Sequence, residues 1–149
     1  MSLKQQIDDD IKTAMLAGDK TLVTTLRGLK AAILNVEVAK GVRDAGLPDN
    51  EVIDLLSKEA KKRQESADMY TTGAAPDKAA AELAEKVVIE KYLPAQLSED
   101  ELLVVIDSVI AEIGGGLAQM GQIIGSVKQK TAGTADGAMI AKLVKERLS

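Results

Sequence analysis

"YLPAQLSEDEL", Tyr92 to Leu102, decides how this chain is divided. Pro94 forbids a helix from continuing, because its ring blocks the preceding turn and it offers no backbone donor. Four residues later, Ser98 and Glu101 have the spacing of a capping box, in which the serine hydroxyl accepts from the amide of Glu101. Leu97 and Leu102 stand where a hydrophobic staple falls, and Glu99, Asp100 and Glu101 put negative charge at the positive end of the helix dipole. One helix stops and another starts within a few residues. The sequence therefore predicts two helical units, an N-terminal region over 1–94 and a tail over 95–149.

Outward from this junction the apolar residues keep a helical period. On the N-terminal side four helices are predicted. The first runs from Ser2 to Ala17 with Leu3, Ile7, Ile11, Ala14 and Met15 inward, and stops at Gly18. The second is capped by Asp19 and runs to about Lys40, with Leu22, Leu26, Leu29, Ile33 and Val36 at alternating spacings of four and three. Gly41, Gly46 and Pro48 mark a loop, after which Asp49 or Asn50 caps a third helix reaching about Tyr70, with Val52, Leu55, Leu56, Ala60, Ala67 and Tyr70 inward. The fourth follows Gly73 and Pro76, turning Leu83, Val87 and Leu93 inward. On the tail side one helix runs from Ser98 to Gly114–Gly116. A second spans Leu117 to about Lys130, with Met120, Ile124 and Val127 in line, and is closed by Gly133. A third opens at Thr134 or Asp136, with Ile140, Leu143, Val144 and Leu148 inward. No stretch alternates with period two. The expected fold is all-α, a four-helix N-terminal region followed by a small three-helix tail domain.

Composition narrows the chemistry. The 149 residues carry a formal net charge of −4, with no Cys, His, Trp or Phe and two Tyr. Without Cys or His there are no disulfides, no Ser–His or Cys–His nucleophile pairs and no usual zinc ligands, so no metal site, no cofactor and no catalytic residue is expected. The first residues, "MSLKQQIDDD", lack the apolar core of a secretory signal, and the longest apolar run, "LLVVI" from Leu102 to Ile106, is too short to span a bilayer. These features predict a cytoplasmic protein without membrane insertion.

Two groups of charges stand out. Lys30 and Glu37 fall within the apolar arc of the second helix, Arg63 within that of the third, and Glu59 at its edge, with Arg27 nearby in sequence. Isolated buried charges are too costly to keep, so partners are expected. The structural interpretation is an interhelical ion-pair network. The functional one is a polar pocket doing acid–base chemistry. The second group lies in the tail. From Leu117 onward the acids are Asp136 and Glu146, against Lys128, Lys130, Lys142, Lys145 and Arg147. These lysines are either ordinary solubilising residues or a patch that reads the backbone of a structured RNA by shape and charge. The tail has no aromatic for stacking unpaired bases, which disfavours single-strand recognition. Lys58, Lys61 and Lys62 share the outer face of the third helix, as a solvated face or a phosphate-contacting stripe. "GTADG", Gly133 to Gly137, lacks the spacing and lysine of a P-loop.

The segments "TLRGLKAAILNVE", "KEAKKRQESADMY", "EKYLPAQLSEDEL" and "MGQIIGSVKQKTAGTADGAMIAKLVKERL" together resemble the YqeY family, small bacterial proteins related to the tail of GatB, the B subunit of tRNA-dependent amidotransferase. The likeness covers nearly the whole chain. It implies an all-helical fold with a three-helix tail domain that takes part in tRNA recognition, while the transamidation and glutaminase parts of the amidotransferase are missing here. It also carries an expectation of carbon–nitrogen ligation with glutamine as nitrogen donor, for which the chain offers no evident nucleophile. The family often has an arginine after the first glycine of the last loop, where this chain has Thr134. The first expectation is thus a non-catalytic accessory protein that binds tRNA or a tRNA-processing partner through Lys128, Lys130, Lys142 and Lys145. The second is an enzyme component using Lys30, Glu37, Glu59 and Arg63. A third is a protein-interaction module, which an exposed apolar groove would reveal.

Overall fold

A computed structural model describes residues 1–132 and 134–149. Among these residues the chain is all-helical, with no strand. Its α-helices are α1 (Leu3–Ala17), α2 (Lys20–Lys40), α3 (Asp49–Thr72), α4 (Pro76–Glu90), α5 (Glu99–Ile113), α6 (Met120–Lys130) and α7 (Gly137–Leu148), with a 3₁₀ turn at Leu117–Gln119 before α6. They fall into two compact units, Met1–Leu93 and Pro94–Ser149.

The helix ends follow local chemistry. Ser2 begins α1 with a complete capping box: its hydroxyl accepts from the Gln5 amide, and its own amide donates to the Gln5 side chain. Asp19 caps α2 by accepting from the Leu22 amide. Gly18 and Gly41 close α1 and α2 in the left-handed conformation, at φ 73° and 69°. Ser98 caps α5 by accepting from the Glu101 amide at 3.1 Å. The return half of that box differs from the expectation, because the Glu101 carboxylate accepts from the Ser98 hydroxyl, at 3.0 Å, and not from the backbone amide. Asp49 does not cap α3 either. Pro48 precedes the helix, and the Asp49 carboxylate accepts from the Leu3 amide at 3.1 Å, so it serves the first turn of α1. Gly133, expected to close α6, lies outside the described residues; α6 ends at Lys130, with the Thr131 amide and hydroxyl both donating to the Val127 carbonyl.

In the first unit the core gathers Ile7 and Ile11 of α1, Leu26, Leu29 and Ile33 of α2, Leu47 of the loop, Val52, Leu56 and Ala60 of α3, and Ile89 of α4. In the second it gathers Leu102, Ile106 and Val109 of α5, Ile123 and Val127 of α6, and Ile140, Leu143 and Val144 of α7. Outside α4 these side chains follow the helical periodicity of the sequence, except that Met15 of α1 and Tyr70 of α3, expected inward, are exposed. In α4 the sequence predicts Leu83 and Val87 inward, yet they are 41% and 57% exposed, and α4 buries Ala79 and Ile89 in their place. The cause lies across the helix pair. Arg63 of α3 donates to Glu85 of α4 at 3.0 Å, and Lys86 of α4 donates to Gln64 of α3 at 2.8 Å. α3 and α4 run antiparallel with a polar seam between them, and satisfying those charges turns the aliphatic face of α4 outward.

The tight link between α3 and α4 places Ala74 at φ 58°, the left-handed region, with no glycine there to relieve the Cβ clash. Ala74→Gly is therefore expected to raise stability by about 1 kcal/mol in chemical denaturation, and Gly41→Ala to lower it by about 1–2 kcal/mol. Changes of the same sign for both would contradict this assignment.

Candidate nucleic-acid interface

α6 and α7 carry the tail lysines. Ile123 and Val127 on α6, and Ile140, Leu143 and Val144 on α7, pack into the core and so fix which faces point to solvent. Lys128 and Lys130 fall in the last turn of α6, where the negative end of the dipole favours cations. Lys142 and Lys145 lie on α7 opposite its buried face and are exposed.

The structure distinguishes among these residues. Lys130 donates to both carboxylate oxygens of Glu112 on α5, at 3.1 and 3.3 Å. Arg147 forms a two-pronged pair with Asp107 on α5, its Nε and Nη2 donating at 2.8 and 2.9 Å. That pairing holds the Asp107 carboxyl below its usual range and the Arg147 guanidinium above its own. Lys128, Lys142 and Lys145 have no ion-pair partner among the described residues. The end of the Lys128 side chain lies against Gly137, the first residue of α7, with its Cε 3.3 Å from where a β-carbon would sit. By sequence Lys130 and Lys128 are equals. Asp107 and Glu112, which tell the tail's bases apart, escape a sequence reading because the local signal of α5 is its cap and nothing in it points to α6 or α7.

Thr134, which stands where the family often has arginine, has a structural role. Its amide donates to the Thr131 carbonyl at 2.6 Å and its hydroxyl makes a further short bond to the same oxygen. Its own carbonyl accepts from the Leu97 amide at 2.7 Å, tying the segment before α5 to the loop before α7.

In the first unit the polar residues sort into separate pairings. Lys30 is exposed and pairs with Asp8 of α1 at 2.5 Å. Arg27 is exposed, with Nη2 3.7 Å from the Met15 sulfur. Arg63 bonds Glu59 one turn earlier at 2.7 Å and Glu85 at 3.0 Å. Burial opposes its charge, but those two carboxylates outweigh the penalty and hold its pKa above the usual value. Lys61 and Lys62 are exposed on the outer face of α3 with Lys58, and Lys62 reaches Glu59 at 3.4 Å.

Glu37 is the fully covered charge of this set, with no accessible surface. Its cover is shallow, built by Lys4 and the loop ending at Leu47. Lys4 Nζ donates to Oε1 at 2.8 Å and the Leu47 amide donates to Oε2 at 2.9 Å. The Lys4 bond is the main cause of a lowered pKa, opposed by burial and helped by Leu47 and Arg43. Among the described residues no cluster of acidic side chains is arranged to hold a metal ion, and no helix is long and apolar enough to cross a membrane.

The helices, the two aliphatic cores and the lysine-bearing α6–α7 pair define a small all-helical protein of two compact units. The chain belongs to the Yqey-like protein family, whose model matches residues 4–148. It is also similar to curated proteins of fungi. It is 34% identical over 109 residues to "Altered inheritance of mitochondria protein 41, mitochondrial" of Eremothecium gossypii, a match covering 72% of this chain and 58% of that protein. To the protein of the same name in Saccharomyces cerevisiae it is 27% identical over 131 residues, covering 84% of this chain and 70% of the relative. The match thus spans little more than half the length of the first relative. These names overturn the cytoplasmic placement expected from the sequence, since both relatives are named as mitochondrial proteins. A composition without cysteine suits any reducing compartment and does not separate the two.

Glu37 yields a pH prediction. Its folded pKa lies below the ordinary 4.5, so its stabilising contribution is fully present above that value and is lost as pH falls through the lowered one. Glu37→Gln keeps an acceptor for Leu47 but removes the ionic partner of Lys4, and is expected to cost about 1–2 kcal/mol at neutral pH. Denaturation curves of the two proteins should converge as the solution is acidified below pH 4.5. A gap that persists unchanged in acid would show that the ion pair is not its source.

Proposed function

We propose that this protein is a non-catalytic accessory that binds tRNA through its tail. In this reading residues 95–149 form a three-helix domain of the kind found at the end of GatB, and residues 1–94 form a four-helix region that carries it. The observation that supports it is the presence of three exposed lysines, Lys128, Lys142 and Lys145, that lack ion-pair partners among the described residues while the neighbouring Lys130 and Arg147 are matched by acids of α5. A protein of net charge −4 that keeps uncompensated cations on two adjacent helices of its tail is suited to a structured polyanion. The lack of aromatic residues in that segment favours binding to the phosphate backbone over base stacking. Lys130 contributes once its bond to Glu112 opens, an exposed pair of little worth in water.

Gel-shift titration with tRNA across a salt series tests this. Neutralising three to five phosphates gives a log–log slope of roughly −2 to −4. Lys142→Glu together with Lys145→Glu should weaken binding roughly tenfold or more and flatten the slope by about one for each phosphate no longer engaged. Both side chains point to solvent, so the circular dichroism of the variant should be unchanged. Absent or salt-independent binding would overturn the proposal.

A further inference from the structure

α4 is apolar on two sides: Ala79 and Ile89 are buried, yet a second aliphatic set faces solvent. Its half-buried side is polar, with Glu82, Glu85 and Lys86 directed to α3, where Arg63 and Gln64 meet them. Its solvent side carries Ala80, Leu83, Ala84 and Val87 at spacings of three, one and three, which places them on one stripe at about 100° per residue. A surface helix ordinarily keeps its solvent side polar. The stripe has a charge at each end: Asp77 in the first turn, near the positive end of the helix dipole, and Lys91 just past the last turn, near the negative end. Both are exposed, and neither has an ion-pair partner among the described residues.

The spacing of these residues has a symmetry. Asp77 and Lys91 stand seven residues to either side of Ala84, about 21 Å apart along the helix. A second α4 laid antiparallel across the stripe, with the two-fold axis at Ala84, sets Asp77 of each copy against Lys91 of the other. It also sets the exposed Ala81 level with Val87, small against larger. Ala84 meets itself on the axis, where a small side chain permits close approach. The two helix dipoles oppose, and each copy brings one acid and one base, so these end charges add no net charge to the paired faces.

We propose that this face of α4 is a self-association surface, occupied by the same face of a second copy of this chain in an antiparallel, two-fold arrangement. The interface is isologous, and one helix face is small against the area that stable complexes bury, so the association is weak and concentration-dependent. The surface belongs to the first unit and is independent of the proposal for the tail.

Sedimentation of the full chain across a concentration series is the primary test, and it should show a reversible monomer–dimer equilibrium. Val87→Glu should leave a monomer. Asp77→Lys should weaken the dimer roughly tenfold by turning both end pairs into repulsions. Adding Lys91→Asp to that variant should restore it, because the exchanged charges complement again. The natural chain has no cysteine, so Ala84→Cys introduces a single thiol. Mild oxidation should then give a disulfide-linked dimer, while Met15→Cys, exposed on α1, should not. All substituted positions are exposed, and unchanged circular dichroism verifies the fold. A monomer at every attainable concentration would overturn the proposal, as would a dimer indifferent to Val87→Glu. Failure of the double charge exchange to restore association would overturn the antiparallel arrangement.

Discussion

The bond network around Arg63 sets the character of the first unit. A guanidinium held by Glu59 one turn earlier and by Glu85 from the next helix is a demanding neighbour, since removing either carboxylate leaves a half-buried charge short of a partner. Once α3 presents Arg63 and Gln64 to α4, α4 must answer with Glu85 and Lys86. A helix has one circumference, so the aliphatic residues displaced from the seam appear on its outer side. The exposed stripe on α4 is thus a consequence of how the α3–α4 pair is held together.

The tail solves a similar problem with a different result. Its core is entirely aliphatic, and all three helices contribute to it. α5 therefore has its polar side available, and it uses Asp107 and Glu112 to match Arg147 and Lys130 on the two helices that follow. Such pairs add little stability where exposed, but they restrict where uncompensated charge remains. The cations left without such a partner are Lys128 at the end of α6 and Lys142 and Lys145 on the outer face of α7, while exposed acids remain at the start of α5 and at Glu146. The local excess of base over acid that is visible in the sequence becomes a narrower set of residues in the structure.

Part of this is legible in the sequence and part is not, for a physical reason. Ser98 and Glu101 disclose the start of α5 because both halves of the interaction lie within four residues. The heptad-like spacing of Leu22, Leu26, Leu29 and Ile33 discloses a buried face because every member belongs to one helix. Glu37 stands out as a charge within that face, but its partner Lys4 lies 33 residues earlier, and nothing local points to it. The usual rule that apolar residues are buried puts Leu83 and Val87 on the inward face of α4. The groups that overrule it, Arg63 and Gln64, come from 22 residues away. Asp49 shows the same limit, since its carboxylate has the right type and place to cap α3 and instead accepts from the Leu3 amide in the first turn of α1, 46 residues back.

The two exposed features lie on different units, and this has an energetic implication. A helix face that pairs weakly with its copy brings a second tail to the same complex, so a polyanion long enough to reach both tails meets the second at a raised effective concentration. The linkage is reciprocal: whatever factor self-association adds to polyanion affinity, the polyanion adds to self-association. On the proposed tail interface, three lysines would provide modest, salt-sensitive attraction, and six on the proposed pair considerably more, without any new kind of interaction. Under the two proposals taken together, a weak dimer would let the binding strength of the tail follow the local concentration of the protein itself.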